Sequence, residues 1–111
     1  MDVSISTQEG RAILRVAGRM DATTAPQFER ECAALIESGE RHLVAELSDL
    51  EYISSAGLRI FLATAKKLKP LEGEIRICGM SGLVREVFSL SGFISLFAIY
   101  PSLDEALAAR P

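Results

Sequence analysis

The sequence predicts an α/β domain: a mixed, mostly parallel sheet of four to five strands, covered by about four helices, in the order ββαβαβαβα. Three observations predict it. Short apolar runs and two-residue alternations trade places along the chain with segments of helical spacing, and strands alternating with helices build largely parallel sheets. The chain has 111 residues, too few for two independent cores, so residues 1–111 read as a single domain. Hydrophobic residues make up 49% and charged residues 24%, which supports a packed core, while aromatics are only 6% with no Trp. That core must be aliphatic.

The elements follow in order. Val3 to Ser6 alternates as a short strand, and Glu9-Gly10 is a hairpin turn signal. Ala12 to Ala17 is the second strand, ended by Gly18. Thr24-Ala25-Pro26-Gln27 opens a helix with a capping threonine, a first-turn proline and a glutamine placed for a capping box. Phe28, Cys32, Leu35 and Ile36 then share one helical face, and Ser38-Gly39 stops it. His42 to Leu47 is a buried strand, followed by a polar connection from Ser48 to Tyr52.

Ser54-Ser55-Ala56-Gly57 opens the second helix, with Leu58, Phe61, Leu62, Ala65 and Leu68 inward. Lys66, Lys67 and Lys69 suit the negative end of its dipole, and Pro70 blocks extension. Glu74 to Cys78 is a strand closed by Gly79. Ser81 to Leu90 is a third helix, with Leu83, Val84, Val87 and Phe88 inward and Gly92 as its stop. Ile94 to Tyr100 holds a last strand, and Ser102-Leu103-Asp104-Glu105 is a capping box opening a short final helix.

Composition excludes several functions. Net charge is −3, without the basic footprint of a nucleic-acid binder. No apolar run approaches the roughly 20 residues of a membrane span, so no membrane insertion is expected. Met1-Asp2-Val3 lacks the basic start of a secretory signal, and Cys32 and Cys78 stand alone outside any CxxC. Both features predict a cytoplasmic chain with free thiols. His42 is the sole histidine, which leaves no His-based metal site and no Ser-His-Asp triad with a spare base. Gly-x-Ser-x-Gly and Gly-x-x-x-x-Gly-Lys-Ser/Thr are both missing. Asp21, Asp49 and Glu51 lack the spacing of a calcium loop. No acid, base and nucleophile come together, so the reading is a non-enzyme without cofactor or metal.

The informative stretch is Ile53-Ser54-Ser55-Ala56-Gly57-Leu58. It lies at a strand-to-helix junction, where open α/β sheets take their ligands. Two hydroxyls there meet the free N–H groups of a helix start. One serine could simply cap the helix. Gly57, costly in a helix by roughly 1 kcal/mol relative to Ala, is expected to give a flat surface that another backbone can approach.

These residues resemble a STAS domain of the anti-sigma factor antagonist family. The family's central stretch reads roughly Asp-Leu-Ser, three or four variable residues, an aliphatic, then Asp-Ser-Ser/Thr-Gly-Leu. Glu46-Leu47-Ser48 through Ile53-Ser54-Ser55-Ala56-Gly57-Leu58 follows it in register. Gly18-Arg19-Met20-Asp21 is similar to the family's Gly-x-Leu/Ile-Asp before its first helix. The resemblance spans essentially the whole chain. It departs at two positions: Ser54 stands where the family has Asp, and Ala56 where it has a second hydroxyl.

The resemblance implies partner switching. Ser55 falls on the family's phosphorylated serine, with Ser54 as the alternative acceptor. Unphosphorylated, the protein would bind an anti-sigma factor that is itself a serine/threonine kinase, and so release a sigma factor. Phosphorylated, it would let go, and a serine phosphatase would reset it. Asp21, Ser54, Ser55, Ala56, Gly57 and Leu58 would form the partner surface. ATP would be the kinase's cofactor. The alternative is a STAS subunit of a membrane transport assembly, such as a lipid-import ABC system, which needs no phosphoswitch.

Overall fold

Strand β1 (Asp2–Gln8) and strand β2 (Arg11–Met20) form an antiparallel hairpin in the computed structural model, which describes residues 1–110. Glu9 and Gly10 join them with φ of 53° and 76°. Two successive positive φ angles are what a two-residue hairpin loop needs to match strand twist. The first half of β2, Ala12–Arg15, pairs in parallel with β3 (His42–Glu46). Its last residues, Gly18–Met20, pair in parallel with β4 (Leu50–Ile53). Strand β5 (Glu74–Cys78) lies beside β3, and β6 (Ala98–Tyr100) beside β5. The sheet therefore runs β1-β2-β3-β5-β6, with β4 on the far half of β2.

The sheet has six strands, where the sequence predicts four to five. The additional one is β4, inside the expected polar connection. Asp49 and Glu51 gave that stretch its polar look, yet Leu50 and Ile53 are buried. Strand β2 also continues through Gly18, its expected end. The register with β4 shifts between Gly18 and Arg19, where Gly18 has a φ of 95°. Glycine takes that conformation at little cost, so the strand bends here and does not stop. The last strand is only Ala98–Tyr100, because Phe93–Leu96 forms a 3₁₀ turn.

Three helices cover one face: α1 (Ala25–Glu37), α2 (Ser55–Leu68) and α3 (Gly82–Leu90). Ala12, Leu14 and Val16 of β2, Leu43 and Ala45 of β3, and Ile75 and Ile77 of β5 point into this core. Phe28, Phe61 and Phe88, one from each helix, meet at its centre. Their ring centroids are 4.8 Å apart for Phe28–Phe61 and 5.7 Å for Phe61–Phe88. The aliphatic core thus has an aromatic seam where the helices converge. Leu83, expected inward, is 50% exposed, because the buried stripe of α3 runs through Val84 and Phe88.

Among the described residues, the opposite face carries only α4 (Leu103–Ala108). Ala106 packs there on Ile13, Val44 and Cys78. Ser102 caps α4 by accepting the Glu105 N–H at 3.2 Å, as its motif predicts. Beneath this helix lies Arg76, a fully buried side chain. Its Nη1 donates to the carbonyls of Ala106 and Ala109, and its Nε donates to Glu74 Oε1 at 2.8 Å. A cation at a helix C-terminus answers both the free carbonyls and the dipole.

Candidate functional site

The site grows from the pairing of β2 with β4. Met20 and Ile53 face each other at the ends of these parallel strands. The Ser54 N–H extends the ladder by donating to the Met20 carbonyl at 2.8 Å. The residues that follow, Asp21 after β2 and Ser54-Ser55 after β4, therefore leave the sheet side by side at its C-terminal end. The sequence motif predicts a strand-to-helix junction for Ser54-Ser55. Their adjacency to Asp21 depends on β4, which lies inside the expected polar connection.

Ser54 is the N-cap of α2, with extended backbone (φ −96°, ψ 173°), and its carbonyl accepts the Leu58 N–H. Its side chain makes no capping bond, and its Oγ is buried without a partner among the described residues. Ser55 is the first helical residue and is exposed. The two neighbouring serines thus face opposite ways. Ser55 stands in the open at a helix start, where backbone N–H groups and the dipole favour an anion.

Asp21 organises the adjoining loop. Its Oδ1 accepts the N–H groups of Thr23 at 2.9 Å and Thr24 at 3.1 Å. The Thr24 hydroxyl accepts the Asp21 N–H at 2.9 Å and donates to the Arg19 carbonyl at 2.7 Å. The Thr24 amide, foremost, holds the Asp21 carboxyl below the ordinary value; the Thr23 amide, the Thr24 hydroxyl and the charge of Arg19 act in the same direction. The expected capping box with Gln27 does not form, because the Thr24 hydroxyl is spent on this loop. Asp21 works on its own backbone, as an Asx-type turn does.

Two of the expected surface residues are not on the surface. Gly57 and Leu58 are buried. A Cβ on Gly57 would come 2.7 Å from Ile53 Cγ1 and 2.8 Å from Met20 Sδ. The glycine lets α2 sit tightly on the ends of β2 and β4, and offers no flat outer surface. Ala56 is half-buried and packs against the core. The outward face is left to Ser55, with Arg59 exposed one turn later.

Sequence reading missed a pair beside the site. Arg19 and Tyr52 face each other across β2 and β4, and the guanidinium lies 4.4 Å from the ring centroid. Each stands two residues before a site residue, Asp21 and Ser54. That spacing would have signalled the pair had β4 been recognised. Among the described residues, no group of three or more His, Cys, Asp or Glu is placed to hold a metal ion.

Comparison with known proteins gives the family. The STAS domain family matches residues 2–106. The chain belongs to the STAS domain family. BtrV of Bordetella bronchiseptica, named as an anti-sigma factor antagonist, is 41% identical over 109 residues, covering 98% of this STAS chain and 94% of that protein. An anti-sigma factor antagonist from Mycobacterium paratuberculosis has the same fold with a TM-score of 0.88 and 31% identity, over 96% of this chain and 90% of that one. SpoIIAA of Bacillus, solved in its phosphorylated form, has a TM-score of 0.72 over 96% of each chain; at 18% identity it shows the fold alone. The relatives at 30% identity or more named here are thus anti-sigma factor antagonists.

Proposed function

We propose that the protein is an anti-sigma factor antagonist that works by partner switching. With Ser55 unphosphorylated, it binds an anti-sigma factor serine/threonine kinase and so releases a sigma factor. The kinase, using its own ATP, phosphorylates Ser55 and the complex parts. A serine phosphatase restores the binding form. The protein itself is a cytoplasmic binding module and not an enzyme.

One observation carries this reading: Ser55 is exposed at the start of α2, beside the Asp21 loop, while the Ser54 hydroxyl is buried. A kinase must reach the hydroxyl it modifies. That access favours Ser55 over Ser54, the alternative acceptor. A phosphate there brings about −1.5 to −2 charge. The helix start accommodates it, so the burden falls on any partner lying across the site. The relatives' names support the regulator over a transport-assembly subunit. No helix among the described residues is long and apolar enough to cross a membrane.

The test is to incubate the protein with its cognate kinase and ATP and map the modified residue. Phosphate on Ser55 is expected. Phosphate on Ser54 alone, or on a distant residue, overturns the assignment.

A further inference from the structure

Two neighbouring strands at one end of the sheet send the chain to opposite faces. Strand β5 leads through Gly79 and Met80 into α3, on the face of the three large helices. Strand β6 leads through Pro101 and Ser102 into α4, on the other face. The two exits are tied at their root, where the Gly79 N–H donates to the Tyr100 carbonyl at 3.2 Å. Beyond it they diverge. Chain that leaves adjacent parallel strands toward opposite faces opens a crevice, and open α/β sheets bind ligands in such crevices outside the carboxyl ends of their strands. A cleft of about 580 Å³ lies there, lined from both exits. That falls within the roughly 300–1,000 Å³ of small-molecule sites.

Most of the lining is apolar: Met80 after β5, and Ile94, Phe97 and Ile99 from the chain that leads into β6. Phe97 is fixed in place, edge-on to both Phe61 and Phe88 with ring centroids 6.2 Å away in each case. Arg85 of α3 is the one charged side chain among the lining residues. Among the described residues it forms no ion pair. We infer that this cleft binds a small organic carboxylate, with the apolar body against Met80, Ile94, Phe97 and Ile99 and the carboxylate on Arg85. A guanidinium offers a carboxylate two parallel N–H groups, a match that an ammonium lacks. No lining carboxylate repels an anion or answers a cation. An inorganic anion would leave the apolar walls wet, and a neutral hydrocarbon would leave Arg85 without a partner. The site is built on β5 and β6, whereas Asp21 and Ser55 follow β2 and β4, so the inference stands apart from the phosphorylation reading.

Amide chemical shifts of the full chain, titrated with octanoate and with phenylacetate, test the site. Each acid should give saturable shifts at Met80, Ile94, Phe97 and Ile99. Octanol and phenylethanol, their neutral counterparts, should bind at least about fivefold more weakly. Acetate, which has no apolar body, should not saturate the site. Arg85 is exposed, so Arg85→Gln should fold as wild type does. It should close the gap between acid and alcohol while leaving alcohol binding unchanged, and Arg85→Lys should keep part of the gap. Both arms read the same pair, so the cycle isolates the charge contact from the apolar one. Absence of saturable shifts with either acid into the millimolar range overturns the proposal. So do shifts gathered around the exposed Leu83, Leu90 and Leu96, or a gap between acid and alcohol that survives Arg85→Gln.

Discussion

Gly57 of α2 lies directly over Met20 at the end of β2, so close that a Cβ would sit 2.8 Å from the methionine sulfur. The same atom would press on Ile53 at the end of β4. This contact joins the helix that presents Ser55 to both strands that position the site. A glycine that looked like a docking surface is instead the reason the helix start is held where it is.

Gly57→Ala should therefore destabilise the protein, even though alanine favours a helix. Overpacking a close contact costs about 1–3 kcal/mol. Gly57→Val should cost more, since it adds branched bulk against the same two side chains. Chemical denaturation would show a lower midpoint for both. A Gly57→Ala variant as stable as wild type would mean that α2 can shift outward freely.

The two serines separate by substitution. Ser54→Ala removes a hydroxyl that caps nothing and has no partner, so stability should change by less than about 1 kcal/mol, and phosphorylation should persist. Ser55→Ala should abolish phosphorylation while leaving the fold intact. A large stability loss in Ser54→Ala, read by thermal denaturation, would reveal a hidden capping bond.

Ser55→Asp, an imperfect mimic of the phosphoserine, should keep the wild-type thermal midpoint within a few degrees, because a negative charge suits a helix start. Its affinity for the anti-sigma factor should fall at least about tenfold, a loss of ~1.4 kcal/mol. Titration calorimetry and a melting curve on the same sample read both quantities. A melted fold, or undiminished binding, would refute the blocking mechanism.

Asp21→Asn tests the loop. The folded carboxyl titrates below its unfolded value, so its contribution to stability is present above the unfolded pKa and is lost as pH falls through the folded one. Wild type should melt higher than Asp21→Asn at pH 7. The gap should close in acid below about pH 4, as the carboxyl in both states becomes protonated. A difference independent of pH would show that shape, and not charge, holds the loop.

The thiols should be slow to react. Burial pushes the Cys32 thiol up to about 12 and Cys78 to about 11, and both cysteines are free. Alkylation of the native, unreduced protein should be sluggish near pH 8, while unfolding without reductant should give two adducts by mass. An intramolecular bridge would contradict the structure and overturn the proposed cytoplasmic location.

Local pattern determined a good deal of this protein. The alternation of strand and helix periods, the stops at Gly39 and Gly92, and the Ser102 cap are each properties of a few neighbouring residues. So is the motif that runs from Glu46 to Leu58, which placed Ser54 and Ser55 at a helix start. What only the tertiary structure decided are relations between segments distant in sequence. Leu50 and Ile53 become a strand because Gly18–Met20 offers them an edge, and their flanking acids hide that from any local reading. Gly57 is a packing residue because Met20 and Ile53 lie beneath it, and a glycine's neighbours are not written in its surroundings along the chain. Thr24 serves Asp21 and Arg19, not Gln27, since one hydroxyl cannot hold two loops. Ser54 and Ser55 are chemically identical in sequence. The turn from extended strand to helix points one hydroxyl into the protein and the other into water, and that difference alone tells them apart.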